Sequence, residues 1–371
     1  MFLQKMIAST VAGGEICTVI DEGLLNTDTG SELRKYILQQ CRVKAVLNLP
    51  SETFKPNKIN VRSSVLFMEK RVCPDIDFDD HYNIVFARLD SLGYLGSGDK
   101  IRGFDSNQFY SEIAKQLLDS ETGSPRKGYH WTAYDMDATE VGRSSSARLD
   151  YKFWDTQIRE QIQKLYLAGN PSIKELNTIA TARGKSPISD SYVDEDEGYA
   201  LVVKAGSSIS RFGTLIIEGS DWIEKSAYDE YVEKSTTELT NLNLLKKGDV
   251  LLASTGDGTL GKACVYDADY PAIADSHVTI IRVDDSKVDP YYLADYLRNG
   301  FGAIQINRLY TGATGLIELT PEQVDGIVVH LPQTIEEQKR LSVEMRTLER
   351  KYSDMVMSAQ QLLNQAQQIL A

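Results

Sequence analysis

"LLASTGDGTLGKACVY", residues 251–266, is the stretch on which the reading of the fold turns. Gly256, Gly261 and Lys262 stand at the spacing G-x-x-x-x-G-K behind an apolar run, which is most of a phosphate-binding loop. Such a loop needs Ser or Thr after the lysine to hold magnesium, and a helix whose first amides face the phosphates. Ala263 comes next instead. The succeeding segment, "CVYDADYPAIADSHVTIIRV" (264–283), carries strand formers and turn-forming Asp and Pro with no helical period. The glycines are therefore expected to bend a tight turn between the strands "DVLLAS" (249–254) and "KACVY" (262–266), and nucleotide binding is not expected.

Bulk properties narrow the class. A chain of 371 residues, 42% hydrophobic, suits two or three globular domains with sizeable cores. The net charge of −13 and a pI near 4.9 give no basic footprint, so any contact with nucleic acid rests on local patches. Cys17, Cys41, Cys73 and Cys264 lie far apart without C-x-x-C spacing, as suits reduced cytoplasmic thiols. The four histidines form no ligand array, and no metal site is expected. No apolar run reaches membrane length and the N-terminus has no signal-peptide layout. A soluble cytoplasmic protein away from membranes is expected.

Working outward, the expected fold class is α+β. In residues 1–75 helix and strand alternate, as in the C-terminal fragment of an α/β sheet domain. "MFLQKMIASTVAGG" (1–14) reads as a helix stopped by Gly13-Gly14, "EICTVI" (15–20) as a strand, and "SELRKYILQQC" (31–41) as a helix capped by Ser31. "VKAVLNLP" (43–50) is a strand, and "FKPNKINVRSSVLFMEK" (54–70) a hairpin ending in a buried strand. Residues 76–149 read as a loop-rich extension and linker with one helix near "FYSEIAKQLL" (109–118). The cluster Asp75, Asp77, Asp79 and Asp80 is better explained as solvated charge than as a cation site. "GRSSSARLDYKFW" (142–154) looks like a linker into a new domain. Residues 150–333 are mainly β, with strands at "YALVV", "GTLII", "DVLLAS", "ACVY" and "HVTIIRV", and helices at 156–167 and 290–300.

Residues 334–371 carry a heptad pattern. Leu341, Leu348, Met355, Leu362 and Ile369 recur every seven residues, with Met345, Tyr352, Ala359 and Ala366 between them. These are d and a positions of a coiled-coil helix that packs on another long helix, from this chain or a partner.

Two stretches carry a resemblance. "LQKMIASTVAGGEICTVIDEGLLN" (3–26) and "ELRKYILQQCRVKAVLNLPSETFKPNKINVRSSVLFMEK" (32–70) resemble the C-terminal part of an N6-adenine DNA methyltransferase of the type I restriction-modification class. "YNIVFARLDSLGYLGSGDKIRG" (82–103) is similar to the next segment of those enzymes. Residues 150–371 resemble one half of a type I DNA-specificity subunit with a single target-recognition domain. The matching pieces are "LDYKFW", "LKKGDVLLASTGDGTLGKACV", "DPYYLADYLRN", "YTGATGLIELTPEQV" and "VVHLPQTIEEQKRL".

The resemblance implies sequence-specific recognition of double-stranded DNA for N6-adenine methylation. The implied partners are a methyltransferase (modification) subunit, with a restriction subunit in the full assembly, and a second copy of the chain joined through the C-terminal helix. The family's glycine-rich loop for S-adenosylmethionine and its Asn-Pro-Pro-aromatic motif are not in this sequence, so no catalytic or cofactor-binding residues are assigned here. S-adenosylmethionine is expected on a missing or partner methyltransferase portion. Phe54 matches the aromatic that stacks on a flipped-out adenine, and reads equally as a core residue beside Leu49 and Pro50. Ser254, Thr255 and Lys262 of the glycine turn, Arg183 and Lys185 in "TARGKSP" (181–187), and Arg308 in "RLYTGATG" (308–315) are candidate DNA contacts. The alternative for each is a structural or solvated role. Two other readings stand: a C-terminal piece of a fused methyltransferase-specificity enzyme, and a degenerate protein kept for oligomerisation or regulation.

Overall fold

The strands expected early in the chain form, and unexpected ones join them. In the computed structural model, which describes residues 2–117, 125–237, 244–313 and 315–369, β1 (Glu15–Asp21), β2 (Cys41–Asn48), β3 (Ser63–Lys70), β4 (Asn83–Leu89), β5 (Arg126–Gly128) and β6 (Trp131–Asp137) share one sheet in the order β1-β3-β2-β4-β6-β5. β3 runs antiparallel to β1 and β2, whereas β2 and β4 are parallel. The carboxyl ends of β1, β2 and β4 therefore lie along one edge. Both faces are covered: Val43, Val46, Ile84 and Phe86 face one apolar cluster, and Ala45, Val85, Ala87 and Leu89 face another. Burial on both sides explains why "NIVFARL" lacks a clean alternation and was not expected as a strand.

This sheet belongs to a unit made of residues 1–163 together with 308–318. Residues 76–149 are thus not a loop extension, since they supply β4, β5 and β6. Their one expected helix forms over Ser106–Glu112 and continues as a wider turn to Leu117; Leu118 lies outside the described residues, as do 119–124. The Ser/Arg-rich stretch 142–154 is no linker either. Arg34, fully buried, donates to the carbonyls of Leu24, Ser146 and Ala147, and Leu149, Tyr151 and Trp154 join the core. Desolvation lowers the Arg34 guanidinium to about 10. Serine and arginine here satisfy backbone carbonyls inside the fold, which composition alone reads as solvent exposure. Local hydrogen bonding makes two smaller corrections. Gly30, not Ser31, precedes the helix Ser31–Gln40 and no side chain caps it. Pro56 falls in a short 3-10 turn, Lys55–Asn57, so no hairpin arm forms there.

The second unit comprises residues 164–307 and 319–371. Its strands are short: β7 (Ala182–Arg183), β8 (Tyr192–Val193), β9 (Ala200–Val203), β10 (Asp221–Ile223), β11 (Val250–Ala253), β12 (Ala263–Val265), β13 (Ala272–Ala274) and β14 (Val278–Ile281). They make two four-stranded sheets, β13-β9-β10-β8 and β12-β11-β14-β7. Leu201 and Val203 of one sheet and Leu251, Ala253, Val278 and Ile280 of the other share an apolar core. "GTLII" is not a strand, because the Ser210 hydroxyl accepts the amides of Phe212 and Thr214 and holds a turn. The helix Lys225–Thr237 was not expected. The α+β class stands as expected, but the mainly β reading of residues 150–333 does not: helices such as Thr156–Leu167, Lys225–Thr237, Pro290–Arg298 and Gly300–Leu309 hold more of those residues than the short strands do.

The terminal helix runs Ile335–Ile369, about 50 Å at 1.5 Å per residue. Its first turns are latched to the helix Pro290–Arg298. Buried Asp295 accepts from Arg298 (2.8 Å), Arg346 (2.8 Å) and the Ser342 hydroxyl (2.5 Å), and Arg298 reaches Glu349 at 2.6 Å. The heptad positions point elsewhere. Leu348, Met355 and Leu362 are 61%, 71% and 67% exposed, although Met345 is half-buried against Asn299. The Ile369 side chain lies outside the described residues.

In the first unit, Arg148 and Asp150 form a buried bidentate pair at 2.7 Å, and Arg148 also donates to the carbonyls of Leu309 and Tyr310. Nearby, the Lys152 Nζ has no hydrogen-bond partner among the described residues and sits over the Tyr310 ring. Removing one partner of a buried pair strands the other charge, at a cost of about 3–5 kcal/mol, whereas a buried ammonium with no hydrogen-bond partner is itself costly to keep out of water. Arg148→Ala is therefore expected to lower the melting temperature steeply, and Lys152→Met to leave it unchanged or raise it, as read by thermal denaturation.

Candidate nucleic-acid interface

Three loops of the second unit meet at one end of its sheets. The first is the glycine turn. β11 and β12 pair antiparallel, with Leu252 opposite Ala263, so the turn closes a hairpin and no helix succeeds Lys262. Gly256, Gly258 and Gly261 all have φ near +90°, a conformation costly for other residues, which is why the sequence needs three glycines there. The phosphate-loop geometry is absent. The second is the stretch after β7, where the amides of Gly184 and Lys185 donate to the carbonyls of Val278 and Ala274. The third, Asp275-Ser276-His277, is the tight connection that carries the chain from β13 in one sheet to β14 in the other.

Hydrogen bonds tie the three together. The carbonyl of His277 accepts both the amide and the hydroxyl of Ser254, at 3.0 and 3.2 Å. The Thr255 hydroxyl and His277 Nδ1 lie 2.7 Å apart. The Ser186 hydroxyl takes the Ser276 amide at 3.1 Å and lies 3.0 Å from its hydroxyl. Buried Asp275, whose carboxyl is pushed up by desolvation, accepts the His277 amide.

The expected site residues sort by this geometry. Lys185 is exposed, Lys262 and Thr255 half-buried, and all three border the loop cluster. Ser254 is fully buried and shapes the loop without facing solvent. Arg183 donates to the carbonyl of Leu319 and is half-buried, so it braces the fold. Arg308 belongs to the first unit, where it stacks over Phe153 and is held down to about 10 by desolvation first and by Arg159 and Arg148 next. Ser186, Ser276 and His277 were missed. The signal available was a polar tripeptide between two apolar strands, which marks a turn but not its neighbours.

In the first unit the carboxyl edge of β1, β2 and β4 is where α/β sheets place ligands. Phe54 lies just past β2 there; it is half-buried and packs in neither apolar cluster of the sheet. The loop after β4 lies alongside, with the Tyr94 hydroxyl donating to the Thr53 carbonyl at 3.1 Å. Glu22, at the end of β1, accepts from Asn48 at the end of β2, and burial raises its carboxyl above the ordinary range. Burial likewise drives the Lys152 ammonium well below its usual value. Residues 308–318 pack here too: Asn26 exchanges two hydrogen bonds with the backbone of Gly312, and Arg62 donates to the Tyr310 hydroxyl at 2.7 Å.

These residues do not fit S-adenosylmethionine. The glycine pair Gly13-Gly14 stands at the amino end of β1, with the Gly13 amide on the Lys70 carbonyl, on the wrong side of the sheet for a cofactor loop. Among the described residues no group of three or more His, Cys, Asp or Glu is placed to hold a metal ion, and no helix is long and apolar enough to cross a membrane.

Comparison with known proteins gives the family. The N-6 DNA methylase family model matches residues 1–86, and the type I restriction modification DNA specificity domain matches residues 171–355. No curated protein matches the chain. Among solved structures it is similar to the type IIG restriction endonuclease BpuSI, at 10% identity over 93% of this chain and 43% of that one, with a TM-score of 0.40. It is also similar to the HsdS subunit from Thermoanaerobacter tengcongensis, at 14% identity over 92% of this chain and 91% of that one, TM-score 0.34. A third is the M protein of the type I restriction enzyme EcoKI, at 16% identity over 40% of this chain, TM-score 0.30; the chain spans only 36% of that protein's length. With a methylase segment leading into a specificity domain, the chain belongs to the type I restriction-modification family.

Proposed function

We propose that the chain recognises a specific sequence in double-stranded DNA and positions an adenine-N6 methyltransferase on it. The observation that carries this reading is the meeting of three loops around Thr255, Lys262, Lys185 and His277 on the domain that matches the specificity family. Lysines at such an edge hold phosphates, while hydroxyl and imidazole groups reach base edges. The acidic bulk limits non-specific affinity, so a basic methyltransferase partner supplies further phosphate contacts. S-adenosylmethionine and the methyl-transfer residues reside on that methyltransferase portion, and Phe54 stacks on the flipped adenine in the assembled enzyme. The assembly works in the cytoplasm, with a restriction subunit joining it.

A fused methyltransferase-specificity polypeptide is the second reading. What favours it is that both family matches lie in one chain, and that residues 308–318, inside the specificity match, pack within the methylase-like unit.

A seam of exposed Leu and Met at heptad spacing is costly to leave in water, since full burial of each such side chain contributes about 1.5–3 kcal/mol. With one such helix among the described residues, the simplest partner is a second copy, giving a two-fold complex and a bipartite symmetric site.

Two outcomes test these readings. Lys185→Ala with Lys262→Ala is expected to weaken DNA binding on all sequences alike and to lower the slope of log K against log salt by roughly 2, about 0.9 per phosphate contact. Titrations at several salt concentrations read both quantities, and an unchanged slope returns the lysines to a solvated role. Leu348→Asp with Leu362→Asp is expected to convert a dimer to a monomer by light scattering and to abolish binding to a bipartite site while the sheets stay folded. A monomeric unsubstituted chain would instead place a separate subunit's helix on the seam.

A further inference from the structure

We infer that His277 reads a base edge, with Thr255 as the residue that positions its ring. This deepens the DNA-recognition reading and rests on it. His277 is exposed, yet its backbone and one ring nitrogen are fully engaged. Its amide donates to the Asp275 carboxylate at 2.9 Å, its carbonyl takes two donors from buried Ser254, and Nδ1 is bound to the Thr255 hydroxyl. Nε2 is the ring atom that remains for a ligand. An exposed side chain whose backbone is pinned at amide and carbonyl, and whose ring is held at one nitrogen, is what sequence readout demands, because a base edge is discriminated only by a group already fixed in position. The Thr255 hydrogen bond occupies Nδ1 and fixes the orientation of the ring, and the amphoteric hydroxyl accommodates either tautomer, so Nε2 can serve a donor or an acceptor edge.

The surroundings separate this role from phosphate binding. Lys185 and Lys262 bring positive charge to the borders of the cluster, where they engage any sequence alike. The imidazole sits on the connection that joins the two sheets, flanked by the Ser186–Ser276 pair on one side and the glycine turn on the other. Gly184 permits that approach, since a Cβ there would lie 2.3 Å from the Ala274 carbonyl oxygen. The ligand class is the edge of one base pair in duplex DNA, where each pair shows a distinct order of donors and acceptors in the major groove.

Selection from a randomised duplex library with the full chain, alone or with its methyltransferase partner, tests this. The unsubstituted protein is expected to select a defined sequence. His277→Ala is expected to lose about tenfold in discrimination at one base pair of that sequence while retaining the others. Thr255→Val, which keeps the imidazole but frees its ring, is expected to relax the same position and no other. Lys185→Ala with Lys262→Ala is expected to lower binding without changing the sequence selected. If His277→Ala selects the same sequence with the same discrimination at every position, the inference is overturned while DNA recognition stands. If the unsubstituted chain selects no sequence, both fall.

Discussion

The buried guanidinium of Arg148 is the interaction on which the first unit depends. It pairs with Asp150 through two hydrogen bonds and holds the carbonyls of Leu309 and Tyr310. A charge so deep is tolerable only when paired and hydrogen-bonded on every side, and the partners it finds come from two parts of the chain about 160 residues apart. That requirement binds residues 308–318 to the end of the methylase-like sheet. Asn26 on Gly312 and Arg62 on Tyr310 reinforce the same attachment. A segment matched by the specificity family is thereby a structural part of the methylase-like unit.

The same logic of buried charge recurs in the second unit with a different result. Asp295 gathers Arg298, Arg346 and Ser342, and so fixes the first turns of the terminal helix by polar contacts. Because that latch occupies Gln338, Ser342, Arg346 and Glu349, the heptad residues are left on another face. The helix is anchored by one stripe and offers a second, and the apolar stripe remains available for a partner helix. At the opposite extreme of polarity, the loop cluster around His277 is rigid for reasons of backbone hydrogen bonding. Its glycines accept positive φ, the Ser186 hydroxyl satisfies the Ser276 amide, and the Ser254 hydroxyl donates to the His277 carbonyl.

Several basic side chains take places that the sequence does not reveal, for one physical reason. Arg183 and Arg308 read as candidate DNA contacts, yet each is enlisted by its own unit, Arg183 by a backbone carbonyl and Arg308 by the face of Phe153, just as Arg34 is held by backbone carbonyls. Long side chains carry their charge to whichever acceptors the fold brings near, and sequence position does not reveal these. Ser254 is likewise turned inward, its hydroxyl donating to the His277 carbonyl. Lys185 lies on a turn whose backbone is already satisfied, so its side chain remains exposed.

By itself the sequence determined the elements whose cause is local. Ala263 after Lys262 argued against a phosphate loop, glycine spacing called for a hairpin, and a seven-residue apolar period called for one long helix whose seam packs on another. The resemblance it carried also fixed the family. Tertiary structure decided whatever depends on long-range pairing. It enrolled "NIVFARL" and "WTAYDMD" as strands of the first sheet, built residues 308–318 into that unit, and brought His277 against Thr255 across 22 residues. Periodicity and turn chemistry act over a few residues and can be read in order. A hydrogen bond between distant loops exists only after the sheets that carry them have packed.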